Sequence, residues 1–106
     1  MTKVVYVMFK KEGMGREEFH RFWKDTHAPV AKKMPGLRGY IQNHALADPE
    51  GNEPPYDGFE ELYFESQEAM EEAIATSEGQ ATINDFPNFC DTAKTLGIAV
   101  EEVKIV

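Results

Sequence analysis

Apolar and polar positions alternate in six segments along the chain. Residues 3–10, KVVYVMFK, are apolar in both alternation registers, with Val4, Tyr6 and Met8 in one and Val5, Val7 and Phe9 in the other. That pattern predicts a strand covered on both sides. Glu12, Gly13, Met14 and Gly15 make a turn, after which Phe19, Phe22, Trp23, Val30 and Met34 recur near helical spacing while Glu17, Glu18, Arg21, Lys24 and Asp25 point elsewhere. An amphipathic helix is predicted, ending at about Met34 before Pro35 and Gly36. Within it, Pro29 has no amide hydrogen and its ring crowds the preceding turn, so a kink or restart is expected there. Residues 37–46, LRGYIQNHAL, predict a second strand, with Arg38, Tyr40, Gln42 and His44 on one face and Leu37, Ile41 and Ala45 on the other. Residues 59–65, FEELYFE, predict a third, with Phe59 and Tyr63 in one register and Leu62 and Phe64 in the other. Ser66 suits the cap of a second helix carrying Ala69, Met70, Ala73 and Ile74 as its apolar stripe. Gly79 is expected to interrupt it, before a looser helical stretch through Ile83, Phe86 and Phe89 to about Cys90. Residues 95–106 predict a last strand, in which Ala99, Val103 and Ile105 alternate with Ile98, Val100 and Val106.

The order strand, helix, strand, strand, helix, strand is the α+β, ferredoxin-like βαββαβ plan: a four-stranded antiparallel sheet with helices on one face, here as a single domain over residues 1–106. Helices cover only one side of such a sheet, yet several strands are apolar on both. A second copy is therefore expected to cover the free side, giving a homodimer through the sheet faces. Between the second and third strands, residues 47–58 form a Pro-, Gly- and acid-rich loop longer than a domain this small usually spends on a connection. It is either a lid, with Tyr56 its inward-pointing residue, or a solvated excursion.

Composition narrows the partners. A net charge of −8 on 106 residues argues against nucleic acid and against an anionic membrane surface, since both select clustered Lys and Arg. No segment has the length of apolar sequence needed to span a bilayer. The apolar start MTKVVYVMF runs into Lys10, Lys11 and Glu12 without a cleavage site, so it reads as a strand and not as a signal peptide. The single cysteine, Cys90, cannot form an internal disulfide, and a cytoplasmic location is expected.

Candidate chemistry concentrates between Gly13 and His44, which hold all three histidines and the only Trp. His27 lies four residues after Trp23 and three before Val30, so it shares the buried face of the helix, an unusual address for a side chain that titrates near neutrality. It is either a packed histidine closing the kink at Pro29 or an acid/base facing a pocket. Tyr40 is either an aromatic core residue or a group that holds a substrate oxygen. His44 shares its strand face; Asn43 points the other way, Asp25 faces solvent, and His20 lies at the edge of the helical stripe. Histidines at 20, 27 and 44 lack the close spacing of a zinc helix, so no metal site is expected. There is no Gly-rich phosphate loop, nucleophile elbow or Cys pair, and no cofactor is expected.

The run REEFHRFWKDTHAPVAKKMPGLRGY, residues 16–40, the Y-x-x-N-H that ends at His44, PYDGFEELYF at 55–64 and TSEGQA at 76–81 resemble the EthD-like family, named for ethyl tert-butyl ether degradation, within the dimeric α+β barrel superfamily. The resemblance spans nearly the whole chain and implies the same fold and a dimeric α+β barrel. Its members are scattered through small-molecule catabolism and biosynthesis and include isomerases and a protein associated with an ether monooxygenase, an oxidoreductase system. In the isomerase-like members the helix histidine and the second-strand tyrosine line the pocket, which carries over to His27 and Tyr40. The third-strand cysteine and preceding-loop histidine of those members do not carry over, because Leu62 and the stretch Asn52 to Pro55 stand there. The reading is a cofactor-independent enzyme, an isomerase, lyase, cyclase or oxygenase, acting on a small apolar or aromatic oxygenated metabolite. His27 and Tyr40 are its catalytic residues, and Trp23, His44, Tyr6 and Tyr56 bind substrate. The alternative is a non-catalytic accessory or ligand-binding protein of a monooxygenase system.

Overall fold

The computed structural model describes residues 1–106. Strand β1 spans Thr2–Met8, β2 Gly39–His44, β3 Gly58–Phe64 and β4 Leu96–Glu101. Every pairing is antiparallel and the sheet order is β2-β3-β1-β4, the topology that the alternation predicts. Helix α1, Arg16–Phe22, passes into a π-helical turn at Trp23–His27 and then into α2, Ala28–Ala31. The expected break at Pro29 is this π turn. Ala28 donates its backbone N–H to the Trp23 carbonyl, five residues back, just before the proline that can donate nothing. The Trp23 carbonyl also accepts from Gln42 Nε2 on β2 at 2.9 Å, which ties the turn to the sheet.

Helix α3 spans Gln67–Ala75, with Ser66 Oγ accepting from the Ala69 amide at 3.1 Å as its cap. The interruption expected at Gly79 falls at Thr76 instead. Thr76 is extended, and its hydroxyl accepts from the Gly79 amide at 3.0 Å to start α4, Ser77–Asp85. Gly79 sits within α4 because its bare Cα lies against the Ala73 carbonyl and the Ile74 backbone, where a Cβ has no room. A short 3-10 turn, Phe86–Asn88, follows, and the last strand is shorter than the predicted 95–106 because residues 102–106 leave the sheet.

Strand alternation assigns the two faces. Val4, Met8, Leu62 and Phe64 are buried under the helices, in one cluster with Met34, Met70 and Ala73 and another with Phe19, Trp23, Phe86, Phe89 and Cys90. On the opposite face, Val5 pairs with Ile98 and Val7 with both Leu96 and Phe59. Nothing in the chain covers that face, and Leu96 and Ile98 are 66% and 60% exposed. No helix is long and apolar enough to cross a membrane.

Candidate active site

Four residues lie in register across the sheet on its helix-facing side: Gly97 on β4, Tyr6 on β1, Glu60 on β3 and Gln42 on β2. Gly97 leaves room for the Tyr6 ring, which occupies the space a Cβ would take. Glu60 is fully buried. Its Oε1 accepts from the Trp23 indole at 2.8 Å and from the Tyr40 hydroxyl at 3.1 Å, while its Oε2 makes no hydrogen bond although it too is buried. Burial pushes the Glu60 carboxyl above the usual carboxylate range, and the His27 imidazole, acting in the opposite sense, only partly offsets this. Trp23 can reach Glu60 because its indole lies over Gly58, where a Cβ would strike the ring.

His27, at the end of the π turn, is fully buried. Its Nδ1 lies 2.7 Å from Asp85 Oδ2 at the end of α4, and its ring packs against Phe86 and Phe89, with centroids 5.2 and 4.9 Å away. With Nδ1–H donated to the carboxylate, Nε2 carries a lone pair, and that atom has no partner. Phe86 joins the two halves of the site, since it stacks on His27 and meets the Tyr6 ring edge-on at 4.9 Å. Tyr6 and Phe86 also wall a narrow apolar cleft, whose other sides include Met34, Leu62, Phe64 and Thr82. The arrangement is a histidine–carboxylate dyad with a free imidazole nitrogen, a buried carboxyl with a free oxygen, and an apolar cleft beside their shared aromatic wall. Two such atoms, buried without partners, suit the exchange of protons with a bound molecule.

The other residues singled out from sequence distribute around this centre. The Tyr40 hydroxyl accepts from Gln42 Nε2 at 2.9 Å and gives its own hydrogen to Glu60, so the acceptor it orients is the carboxyl. Burial first, and then the Glu60 charge, push its ionisation up. Tyr6 is shifted the same way for the same reasons, and its hydroxyl has no hydrogen-bond partner in the chain. His44 stacks parallel on the Trp23 indole at 4.5 Å, with Nε2 2.8 Å from Gln42 Oε1; burial, then His20, lower its pKa. His20 is half-buried, its ring 4.6 Å from that of His44 and its Nε2 2.9 Å from the Asp57 carbonyl. Tyr56 lines a surface recess with His44, Pro54 and Pro55 and is not brought to His27 or Glu60. Asn43 faces the other side of the sheet and donates to Glu61, and Asp25 is exposed. No group of three or more His, Cys, Asp or Glu side chains converges as metal ligands. Burial raises the Cys90 thiol, the reverse of what a nucleophile needs.

Glu60 and Asp85 are the site residues that the sequence pattern does not single out. Glu60 was accessible in principle, because it occupies the register of Leu62 and Phe64, so the acid stands where alternation puts a core residue. Asp85 meets His27 across 58 positions of sequence, and no local pattern announces that contact.

The family model described as EthD domain matches residues 11–93. An uncharacterized 11.0 kDa protein of Rhodococcus erythropolis, encoded in the thcB–thcC intergenic region, is 27% identical over 84 residues, covering 79% of this chain and 81% of its own length. The crystal structure of an ethyl tert-butyl ether degradation (EthD) family protein from Bacillus halodurans is similar with a TM-score of 0.83 and 26% identity, over 97% of this chain and 99% of that one. A dimeric protein of ferredoxin-like fold from Bacteroides fragilis is similar with a TM-score of 0.68 and 9% identity, over 95% of each chain.

Proposed function

The chain belongs to the EthD domain family, and on that premise we propose that it is an acid/base enzyme of a small apolar or aromatic oxygenated metabolite, with His27 the proton-transfer group. The observation that carries the reading is the His27 ring itself. One nitrogen is fixed by Asp85 at 2.7 Å, and the other is buried with no partner in the chain. An imidazole held in one tautomer and kept from water is a prepared base, and the carboxylate beside it stabilises the imidazolium formed when it takes a proton. Trp23 and Tyr40 hold Glu60, and Tyr6 offers an unpaired hydroxyl on the cleft wall. Isomerisation, elimination, cyclisation and cofactor-free oxygenation are all reactions that such a group can serve.

The same reading has residues 1–106 as one domain acting in the cytoplasm as a homodimer, a dimeric α+β barrel closed through the uncovered sheet face. The exposure of Leu96 and Ile98 beside Val5, Val7 and Phe59 supports the pairing, as does the dimeric state of the Bacteroides fragilis protein.

The test is NMR of the three imidazoles, assigned with single His→Gln variants, on addition of phenol, benzoate and a small lactone. His27 is expected to respond to at least one of them while folded dispersion is kept. An unresponsive His27 with every compound would sink the assignment. Saturable binding without any turnover would move the protein to the accessory, ligand-carrying role.

A further inference from the structure

Glu60 is a buried acid that the His27–Asp85 dyad does not use, and it has no Lys or Arg beside it. Its hydrogen-bond partners are Trp23 and Tyr40, both neutral donors to the same oxygen, and no Lys or Arg hydrogen-bonds to any group of the site. Two donors on Oε1 leave Oε2 as the oxygen that carries a proton or gives one up. The direction in which Oε2 can act is set by its neighbours. Glu60 is the cross-strand partner of Tyr6, Tyr6 touches Phe86, and Phe86 stacks on His27. Trp23, which holds Glu60 from above, lies on the same π turn as His27. The two unpartnered atoms therefore belong to residues packed around Trp23, Tyr6 and Phe86, and His27 lies close enough to act electrostatically on Glu60.

We infer that Glu60 is a second catalytic acid/base working opposite His27, and that the pair selects neutral, enolisable carbonyl compounds over carboxylates. The inference rests on the reading of His27 as the proton-transfer group. In the forward step the lone pair of His27 Nε2 takes a proton from the carbon next to the carbonyl. The C–H electrons form the C=C bond of the enol, the carbonyl π pair moves to oxygen, and that oxygen takes the proton from Glu60 Oε2. The substrate stays neutral while His27 becomes imidazolium and Glu60 carboxylate. Reversal at the same carbon, or return of the imidazolium proton to a conjugated carbon, completes a tautomerisation without any further reagent. A carboxylate ligand finds no Lys or Arg here and would meet the Glu60 carboxyl instead, whereas a neutral carbonyl finds a proton donor and an apolar wall. The other ionisable groups around the pair are Asp85 on His27, Tyr6 and Tyr40 beside Glu60, and Cys90 within its electrostatic reach.

The experiment follows exchange of the methyl hydrogens of acetophenone in deuterium oxide by NMR, with wild type, His27→Gln and Glu60→Gln. Glu60→Gln keeps an oxygen for the Trp23 and Tyr40 donors, and retention of its fold is checked by circular dichroism. Wild type is expected to exchange acetophenone well above the buffer rate. Each variant should lose about 10²-fold or more, and Glu60→Gln should also lose one limb of a two-limbed pH profile. On wild type alone, phenol should inhibit the exchange and benzoate, of similar size, should not. Exchange by Glu60→Gln within twofold of wild type, or inhibition by benzoate as strong as that by phenol, would overturn the role of Glu60. The His27 reading would still stand if His27→Gln had lost activity. No exchange by wild type would also overturn the inference, and the response of the His27 ring to phenol then decides separately whether the broader reading survives.

Discussion

Glu60 and Glu61 are neighbours in sequence, and β3 turns them to opposite faces of the sheet. Glu60 is under the helices, fully buried, with only neutral donors, and its pKa is raised by desolvation. Glu61 is on the uncovered face, 2.7 Å from Lys3 Nζ and within reach of Asn43 Nδ2 at 3.1 Å, and its pKa is lowered, first by the Lys3 hydrogen bond. The same side chain on the same strand thus has its ionisation disfavoured by burial on one face and favoured by a lysine on the other. On the proposed reading this difference matters, because a carboxyl already matched by a lysine has little to offer a substrate. A buried one with a free oxygen is open to a bound group.

The largest effect should come from breaking the helix-facing side at Trp23. Its indole is buried over Gly58 and donates to Glu60, so Trp23→Ala removes a large core side chain and one of the two donors on a buried acid. A loss of about 3–5 kcal/mol is expected in urea unfolding. The next breaks the other face. Ile98→Lys places a charge in the uncovered apolar patch next to Val5, and sedimentation equilibrium should show dimer association weakened by about 100-fold, with the monomer still folded. A wild type that is monomeric at high micromolar concentration would remove the dimer from the comparison.

Glu60→Gln sharpens the contrast with a smaller change. An acid whose folded pKa is raised above its unfolded value contributes its stability below the unfolded pKa, near 4.5, and loses it as pH rises through the folded one. The variant should therefore melt close to wild type at about pH 4 and above it at pH 7, by on the order of 1–2 kcal/mol. Equal melting temperatures at both pH values would mean that Glu60 carries no buried charge.

Much of the fold was legible because its cause is periodic. A strand apolar in both registers, such as residues 3–10, marks a central strand of the sheet, and the six segments follow in the predicted βαββαβ order. Boundaries were less legible where the cause is a single contact. Gly79 reads as a breaker, yet its missing Cβ serves close packing inside α4, and the break belongs to Thr76, whose hydroxyl caps the next helix. Val103, Ile105 and Val106 continue the alternation of the last strand, but the neighbouring strand β1 begins at Thr2, opposite Glu101, so there is no edge left for them to pair with. At the site, spacing from Trp23 placed His27 on the buried face, whereas its partner Asp85 depends on how α4 docks. Glu60 went unmarked because an acid in a strand is normally assigned to water; only its register with Leu62 and Phe64 says otherwise.

The smallest effect tests whether the uncovered face is a surface or an interface. Lys3 donates to Glu61 at 2.7 Å and to Glu102 at 3.0 Å, so Lys3→Met leaves both carboxylates without their cation. In the monomeric Ile98→Lys background this is an ordinary partly exposed ion pair, and its loss should cost under about 1 kcal/mol and shrink in salt. The sign with pH is fixed by the lowered pKa of Glu61. Its contribution is present above the unfolded value of 4.5 and disappears as pH falls through the folded one, so the two proteins should converge in acid. If wild type pairs as proposed, a second sheet lies over the cluster and keeps water away from Glu61. Removing Lys3 then strands an anion in a drier site, and the cost should exceed the monomer value and resist salt. Equal costs in the two backgrounds would place Lys3 and Glu61 outside the contact area, and would confine the dimer to the apolar patch around Val5, Val7 and Ile98.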